Sequence, residues 1–290
     1  MVFMQQLPSD HADLHHTFGM GVAGNFAGHL EQAGEAADFV HVTAELDMPK
    51  GIFPWYAPGS STFLGAYPLS HTTLALPDGV SDAVGRIQIE PELGVMFDVV
   101  RSAAGDVETL IPRWAAAFDD CSLRRPGAAR ISEKKNWGAA SKGVADRVLP
   151  ISDLARDGAL ASMRLTCLLV RDGETIQYGT DSAIATYTLF GTELIAWLVD
   201  RLNHQHAADD TPLEDVGALL HASGASTVLV GVGATRYEPY GETTFVQAGD
   251  EAIVAVYDAS IHTPDDVAAH LHDRRDAELT AASVLRRVAQ

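Results

Sequence analysis

Alternating apolar and polar positions predict strands in three parts of the chain, at residues 86–100, 162–171 and 252–258. The helical spacing of apolar residues predicts helices at 109–118, at 190–205 and from Pro264 to about Val288. Thr263 can cap the last of these helices, and a proline suits its first turn. Strands outnumber helices through the middle of the chain, so the pattern indicates a β-rich α+β fold.

No internal repeat, low-complexity tract or long linker interrupts this pattern. A chain of 290 residues, 47% of them hydrophobic, can bury a large core. The simplest interpretation is one continuous domain over residues 1–290. The apolar stretches fall short of the roughly 18 residues of a membrane span, and the first residues lack the layout of an export signal. We therefore expect no membrane partner and a cytoplasmic location.

The chain is strongly acidic, with a formal net charge of −19. Its lysines are only Lys50, Lys134, Lys135 and Lys142. Because nucleic acids and anionic membranes are bound by clustered cations, this balance disfavours both as partners. Three of the lysines nevertheless fall in one short segment. The two cysteines, Cys121 and Cys167, are too few for a disulfide framework or a structural zinc site, and we expect them to be packing residues.

Two glutamates stand one residue apart in the first predicted strand, GRIQIEPELGVMFDVV. Alternate residues of a strand share a face, so Glu90 and Glu92 project together with Cα atoms about 7 Å apart. This alternation is also typical of a half-exposed edge strand, and Pro91 suits an edge because it has no N–H. If the two carboxylates instead converge to about 5 Å in a cleft, their repulsion is roughly 3 kcal/mol at an effective dielectric constant near 20. A divalent cation would remove that penalty.

The order of several short segments resembles that of the fumarylacetoacetate hydrolase superfamily. Its members carry an Asn-Tyr-x-x-His lid motif, a Glu-x-Glu strand, an Asn-Asp-x-Ser-x-Arg segment, a Trp-x-x-x-x-Lys segment, a late Gly-Thr-Pro turn and a Gly-Asp strand. The corresponding segments here are Asn25 to His29, Glu90 to Glu92, Asp119 to Arg124, Trp137 to Lys142, Gly233 to Thr235, and Ala248 to Asp250. None of these motifs is specific alone, but six in this order over residues 20–258 are.

The resemblance implies a metal-dependent enzyme. By this similarity Glu90, Glu92 and Asp120 are the ligands of Mg²⁺ or Mn²⁺, a set of hard oxygen donors that leaves positions open for a chelating substrate. The implied reaction is hydrolysis of a C–C bond in a small acidic 2-oxo acid or 1,3-dicarbonyl compound of the acylpyruvate type, through a metal-bound enolate.

The same resemblance implies roles for further residues. His29 would activate water as a general base, and Lys142 would add positive charge against a developing oxyanion. The implied substrate-contacting residues are Arg124, Thr235 and Tyr237.

The resemblance also implies an architecture, a mixed β-roll that commonly forms homodimers. Residues 1–84 would carry a lid and residues 85–260 the catalytic core. The helix predicted from the apolar spacing extends past this core, and we assign residues 261–290 to it.

Departures from the superfamily pattern affect the reaction more than the fold. Several relatives place a glutamate three residues after the lid histidine, where this chain has Gln32. Glu31 and Glu35 are the alternative acids, and we assign Glu31 as the partner of His29. The basic run Lys134-Lys135-Asn136-Trp137 is unusual and indicates a divergent subgroup. The alternatives to a hydrolase are an oxaloacetate-type decarboxylase, a dienoate isomerase, or a catalytically silent metal- or metabolite-binding homologue.

Overall fold

The computed structural model describes residues 4–7, 12–35, 39, 41–42, 48–77, 86–125 and 127–290. Its strands are β1 (Gln5–Gln6), β2 (Phe18–Ala23), β3 (Gly51–Tyr56), β4 (Leu69–Ser70), β5 (Thr73–Leu74), β6 (Arg86–Gln88), β7 (Pro91–Arg101), β8 (Val107–Asp119), β9 (Ser122–Arg124), β10 (Lys142–Val144), β11 (Arg147–Pro150), β12 (Met163–Arg171), β13 (Glu174–Ala183), β14 (Thr227–Gly231), β15 (Glu251–Asp258) and β16 (Ala282–Ala289).

The α-helices are short apart from one. They are α1 (His29–Gln32), α2 (Ser132–Lys135), α3 (Gly191–His204), α4 (Val216–Ser223), α5 (Pro239–Thr243) and α6 (Pro264–His272). Single 3-10 turns lie at Ala12–His16, Phe63–Gly65, Ile184–Thr186 and Asp276–Glu278. Among the described residues, no helix is both long and apolar enough to cross a membrane.

Two sheets build the core. A nine-stranded sheet has the order β1-β11-β8-β7-β14-β2-β3, with β10 beside β8 and β4 beside β10. A five-stranded sheet has the order β13-β12-β15-β16-β5 and packs across β8 through β15 and β16. The strands of residues 1–84 join both sheets, so the sheets are built from the N-terminal and the later segments together.

The predicted β-rich α+β fold is confirmed, and so are its main elements. The strand predictions correspond to β6 with β7, β12 and β15, and the helix predicted at 190–205 corresponds to α3. Its buried residues, Leu194, Leu198 and Leu202, recur every four positions, as the amphipathic spacing required.

The helix predicted at 109–118 was wrong, because this stretch is strand β8. Three consecutive alanines, Ala115 to Ala117, favour a helix by propensity, but here they are buried where the second sheet crosses β8. A short apolar run does not distinguish a buried strand from a buried helix. Pro112, which would break a helix interior, was the contrary signal.

The C-terminal helix predicted for 261–290 was wrong in its extent. Helix α6 ends at His272, and Arg274 and Ala281, both with positive φ, turn the chain into strand β16. This strand pairs with β15 on one side and with β5 on the other. The capping prediction was right, since the Thr263 side chain accepts a hydrogen bond from the Asp266 N–H.

Strand β16 also carries a buried cation, Arg287, whose side chain reaches the end of β8 in the main sheet. The guanidinium of Arg287 is fully buried and pairs with the Asp119 carboxylate at the end of β8. An isolated buried charge is costly, so each group depends on the other.

We expect Arg287→Met to lower the free energy of unfolding by about 3–5 kcal/mol, because it leaves the Asp119 charge buried and unpaired. Urea denaturation followed by circular dichroism measures this loss. The matched control is Arg274→Met, at an arginine whose side chain is 60% exposed and pairs with Glu251. The control should cost less than about 1 kcal/mol. Equal stabilities of the two variants would contradict the prediction.

Candidate metal centre

The register of β7 against β8 brings three acidic residues together. Pro91 pairs with Asp119, and just beyond this pair the Asp120 N–H donates to the Glu90 carbonyl at 3.0 Å. One carboxylate oxygen from each of Glu90, Glu92 and Asp120 lies within 4.8 Å of the others, and all three residues are buried. We call these residues the acidic triad. Strand β7 lies between β8 and β14, so the edge-strand alternative was wrong, and Pro91 is tolerated as the first residue of its strand.

Asp119 holds the backbone of the triad in place. Its Oδ1 accepts hydrogen bonds from the N–H groups of Glu90 at 3.0 Å and of Cys121 at 2.9 Å, while Oδ2 pairs with Arg287. The sequence reasoning missed this role. The adjacent Asp119-Asp120 pair was the available signal, since two buried acids in a row require two different partners.

Lys135 was also missed, and it contacts the triad directly. Its Nζ donates to Glu90 Oε2 and to Asp120 Oδ2, and its side chain is only 3% exposed. The next residue, Asn136, fixes the end of α2 by donating to the carbonyls of Trp55 at 2.8 Å and Ala66 at 2.9 Å. Three of the four lysines of the chain fall in this segment, which was a signal for Lys135 although not for its contacts with the triad.

Lys142 lies beside the triad, as the motif implied. Its Nζ donates to the backbone carbonyls of Asp120 at 2.7 Å and Cys121 at 2.6 Å, and lies 3.7 Å from Asp120 Oδ1. Burial lowers the pKa of Lys142 to about 8, although the Asp120 charge acts in the opposite direction. Two of the three N–H groups of the Lys142 ammonium therefore donate to backbone carbonyls.

Arg124 connects the triad to the surrounding acids. It lies 2.7 Å from Glu90 Oε1 and 2.7 Å from Glu35 Oε1, and donates to the Tyr237 hydroxyl at 3.1 Å. Burial alone would raise the pKa of Glu90, but Lys135 and Arg124 hold it below its usual value. The predicted substrate residues Arg124 and Tyr237 therefore contact each other beside Glu90.

Glu92 has a different environment from Glu90. Among the described residues no cation forms an ion pair with it, and its Oε2 accepts a hydrogen bond from the Gly233 N–H at 3.0 Å. Burial and the Asp120 charge raise the pKa of Glu92 well above its usual value. The two strand glutamates therefore differ in charge compensation.

His29 is buried at the start of α1, close to the triad. Its Nδ1 lies 2.9 Å from the Thr235 carbonyl oxygen, which can only accept a hydrogen bond. This assigns the proton to Nδ1 and leaves a lone pair on Nε2. Burial lowers the pKa of His29, which favours the neutral ring. The Thr235 hydroxyl is buried and has no hydrogen-bond partner among the described residues.

The acid that reaches this site is Glu35, whereas Glu31 is exposed, so the structure does not bring Glu31 to His29. Helix α1 ends at Gln32, and a turn through Gly34, at φ +70°, returns the chain so that the Glu35 N–H donates to the Leu30 carbonyl. Gln32 donates to the Tyr237 carbonyl at 3.2 Å and accepts from its N–H at 2.9 Å. The residue that replaces the expected glutamate thus anchors α1.

A small cavity lies at the centre of these groups. Its lining includes His29, Glu35, Glu90, Glu92 and Lys135, and its volume is about 20 Å³. This is room for roughly one water molecule. The cavity as described is too small for a substrate of several atoms.

The donor set of the triad fits a hard divalent cation. Three carboxylates suit Mg²⁺ or Mn²⁺, and the Asp120 Oδ1 is buried with no hydrogen-bond partner among the described residues. Two other oxygens of the triad, however, already accept from Lys135. The residues therefore fit a metal ion, and Lys135 is a cation that already contacts two of them.

Solved structures resemble the fold. An inhibitor complex of Cg1458 aligns with 99% of this chain and 78% of its own, at 12% identity and a TM-score of 0.50. A 2-keto-3-deoxy-D-arabinonate dehydratase complexed with magnesium and 2,5-dioxopentanoate aligns with 94% of this chain and 73% of its own, at 14% identity and a TM-score of 0.47. A protein from Oleispira antarctica, provisionally described as a fumarylacetoacetate isomerase/hydrolase, aligns with 94% of this chain and 93% of its own, at 12% identity and a TM-score of 0.43.

At these identities the likeness concerns the fold alone, and in fold the chain resembles the Cg1458 structure. The described residues combine this fold with a buried acidic triad that could bind a metal. The chain belongs to a family of unknown function, DUF5718, whose model matches residues 35–288. A search of curated protein sequences returned no match.

The two strand glutamates should respond in opposite ways to neutralisation in the metal-free protein. In EDTA at pH 7, Glu92→Gln should raise the free energy of unfolding by about 1–3 kcal/mol, because burial and the Asp120 charge raise the pKa of Glu92 in the folded protein, whereas the unfolded protein ionises it freely. Glu90→Gln should instead lower it by about 3 kcal/mol, because it leaves cations buried without their partner. Urea denaturation measures both. A loss of stability for Glu92→Gln would show that this carboxylate has a compensating cation.

Proposed function

We propose that this protein is an enzyme that hydrolyses a C–C bond in a small acidic 2-oxo acid or 1,3-dicarbonyl compound of the acylpyruvate type. The observation that supports this proposal is that Glu90 and Glu92 of the acidic triad line one cavity with His29, a buried histidine whose lowered pKa favours the neutral ring. Glu90, Glu92 and Asp120 would hold Mg²⁺ or Mn²⁺, which when bound supplies positive charge against the enolate that forms as the bond breaks.

The residues of the chain supply the remaining steps. His29 Nε2 accepts a proton from water, while the Nδ1–H donated to the Thr235 carbonyl holds the tautomer and the ring orientation. Lys142, buried beside Asp120, contributes positive charge to the same region. The unpaired Thr235 hydroxyl is available to a substrate oxygen, and Arg124 and Tyr237 would face the substrate carboxylate.

The small cavity implies that α1 acts as a lid. Two contacts hold it in the described position, His29 to the Thr235 carbonyl and Gln32 to the Tyr237 backbone. Substrate entry would break both, and closure would exclude bulk water from the enolate. The homodimer and the cytoplasmic location implied by the resemblance stay predictions.

A second candidate, an oxaloacetate-type decarboxylase or an isomerase, is favoured by one observation. The Nδ1 of His29 faces a backbone carbonyl, and the acid assigned to it, Glu31, is exposed. A decarboxylation does not require activated water, so it does not need a histidine–carboxylate pair.

A substrate screen separates these candidates. Acylpyruvates and oxaloacetate are each incubated with the purified protein and Mg²⁺ or Mn²⁺, and the products are identified by chromatography. Acylpyruvate cleavage with metal dependence supports the hydrolase, whereas loss of CO₂ from oxaloacetate supports the decarboxylase. No turnover of any compound, together with intact metal binding, would favour the silent homologue.

His29→Ala tests the base directly. If the protein is a hydrolase, the variant should lose about 10²- to 10⁴-fold in kcat, the usual contribution of a positioned acid or base. Steady-state kinetics on the best substrate of the screen measure the loss. The control is His206→Ala, at a histidine whose side chain is 73% exposed. A kcat for His29→Ala within about tenfold of wild type would point to the decarboxylase, and full hydrolase activity would remove His29 from the mechanism.

A further inference from the structure

The ammonium of Lys135 lies against the acidic triad. It donates at once to Glu90 Oε2 and Asp120 Oδ2, two of the three carboxylates of the triad. Neither contact is a surface ion pair, since the lysine is 3% exposed and the two acids 3% and 0%. A single ammonium therefore bridges the residue before β7 and the residue after β8.

The position of Lys135 is fixed by its surroundings. Helix α2 is anchored at its start by Ser132, whose hydroxyl donates to Glu214 at 2.8 Å, and at its end by the two hydrogen bonds of Asn136. The Nζ also lies 5.1 Å from the centre of the Phe53 ring, within the range of a cation–π contact. The preceding residue, Lys134, points elsewhere, with its Nζ 3.4 Å from Glu35.

A divalent ion and this ammonium exclude each other. Mg²⁺ or Mn²⁺ binds carboxylate oxygens at about 2.0–2.3 Å, so an ion held by the triad would lie against Glu90 and Asp120, the two carboxylates that Lys135 contacts. Two cations on the same pair of buried carboxylates would repel each other strongly. One of the two must leave.

We propose that Lys135 is the resident cation of this centre and that a divalent ion binds only by exchange with its ammonium. The proposal rests on the metal assignment in the proposed function. Lys135 then balances the buried carboxylates when no metal is bound, so the metal-free protein stays folded. The same contact lowers the affinity for divalent ions, because each binding event must first break two buried ion pairs.

The affinity for Mn²⁺ tests this exchange. Free Mn²⁺ is measured by electron paramagnetic resonance during titration of wild type, Lys135→Met and Lys134→Met. Lys135→Met should bind Mn²⁺ at least about tenfold more tightly than wild type. Lys134→Met removes the same charge one residue away and should change the affinity less than about threefold. If Lys135→Met folds only when Mn²⁺ is present, that result also supports the proposal.

A second measurement separates exchange from simple repulsion and needs only the wild type. Crystal structures are determined in EDTA and in Mn²⁺, with the ion located by its anomalous scattering. We expect Mn²⁺ on Glu90, Glu92 and Asp120, and Lys135 Nζ withdrawn beyond hydrogen-bond distance of Glu90 and Asp120. Mn²⁺ bound by the triad with Lys135 still on both carboxylates would overturn the proposal.

The outcomes distinguish this proposal from the function on which it rests. Equal Mn²⁺ affinities of wild type and Lys135→Met would overturn the exchange and leave the metal assignment standing. No Mn²⁺ binding by either folded protein would overturn both.

Discussion

Buried negative charge that has to be neutralised is the constraint on which the rest of the site depends. Three carboxylate oxygens lie within 4.8 Å of one another, and all three side chains are buried. Such a group persists only with cations or protons to compensate it. The chain uses both: Lys135 and Arg124 contact Glu90, whereas Glu92 has its pKa raised by burial. Glu90 and Glu92 have the same side chain, but cations balance the charge of only one of them, and this difference allows them different roles.

The same constraint ties the fold to the site. Asp119 orients the backbone at Glu90 and Cys121, but only because Arg287 arrives from the far end of the chain to balance its charge. Arg287 reaches it because residues 282–289 form a strand beside β15. The second sheet therefore stabilises the first through packing over β8 and through a buried ion pair next to the triad. A C-terminal helix on the surface could not have supplied that charge.

The sequence predicted the parts that depend on short-range pattern and on motif order. The Glu-x-Glu strand, Asp120 and Lys142 lie together because their motifs keep a fixed place in the fold. Alternation along β7 could not distinguish an edge strand from a central one, since the difference lies in the neighbouring strands. The alanines of β8 favoured a helix until sheet pairing overrode their propensity. Lys135 and Glu35 reach the site through α2 and through a turn after α1, and neither path is encoded in local spacing.

Access to the cavity and exchange of its cation depend on shared contacts. Glu35 follows α1, the proposed lid, and accepts a hydrogen bond from Arg124, whose other terminal nitrogen lies against Glu90. Moving the lid outward removes Glu35 from Arg124, so Arg124 and Lys135 are left to share the charge of Glu90. An attraction divided between two cations holds each of them less firmly. Within the proposed function, an anionic substrate that takes the place of Glu35 beside Arg124 would restore the partner that Arg124 lost. Lys135 would therefore be held less firmly while the lid is open and before the substrate reaches Arg124, which places the arrival of the metal ahead of substrate binding.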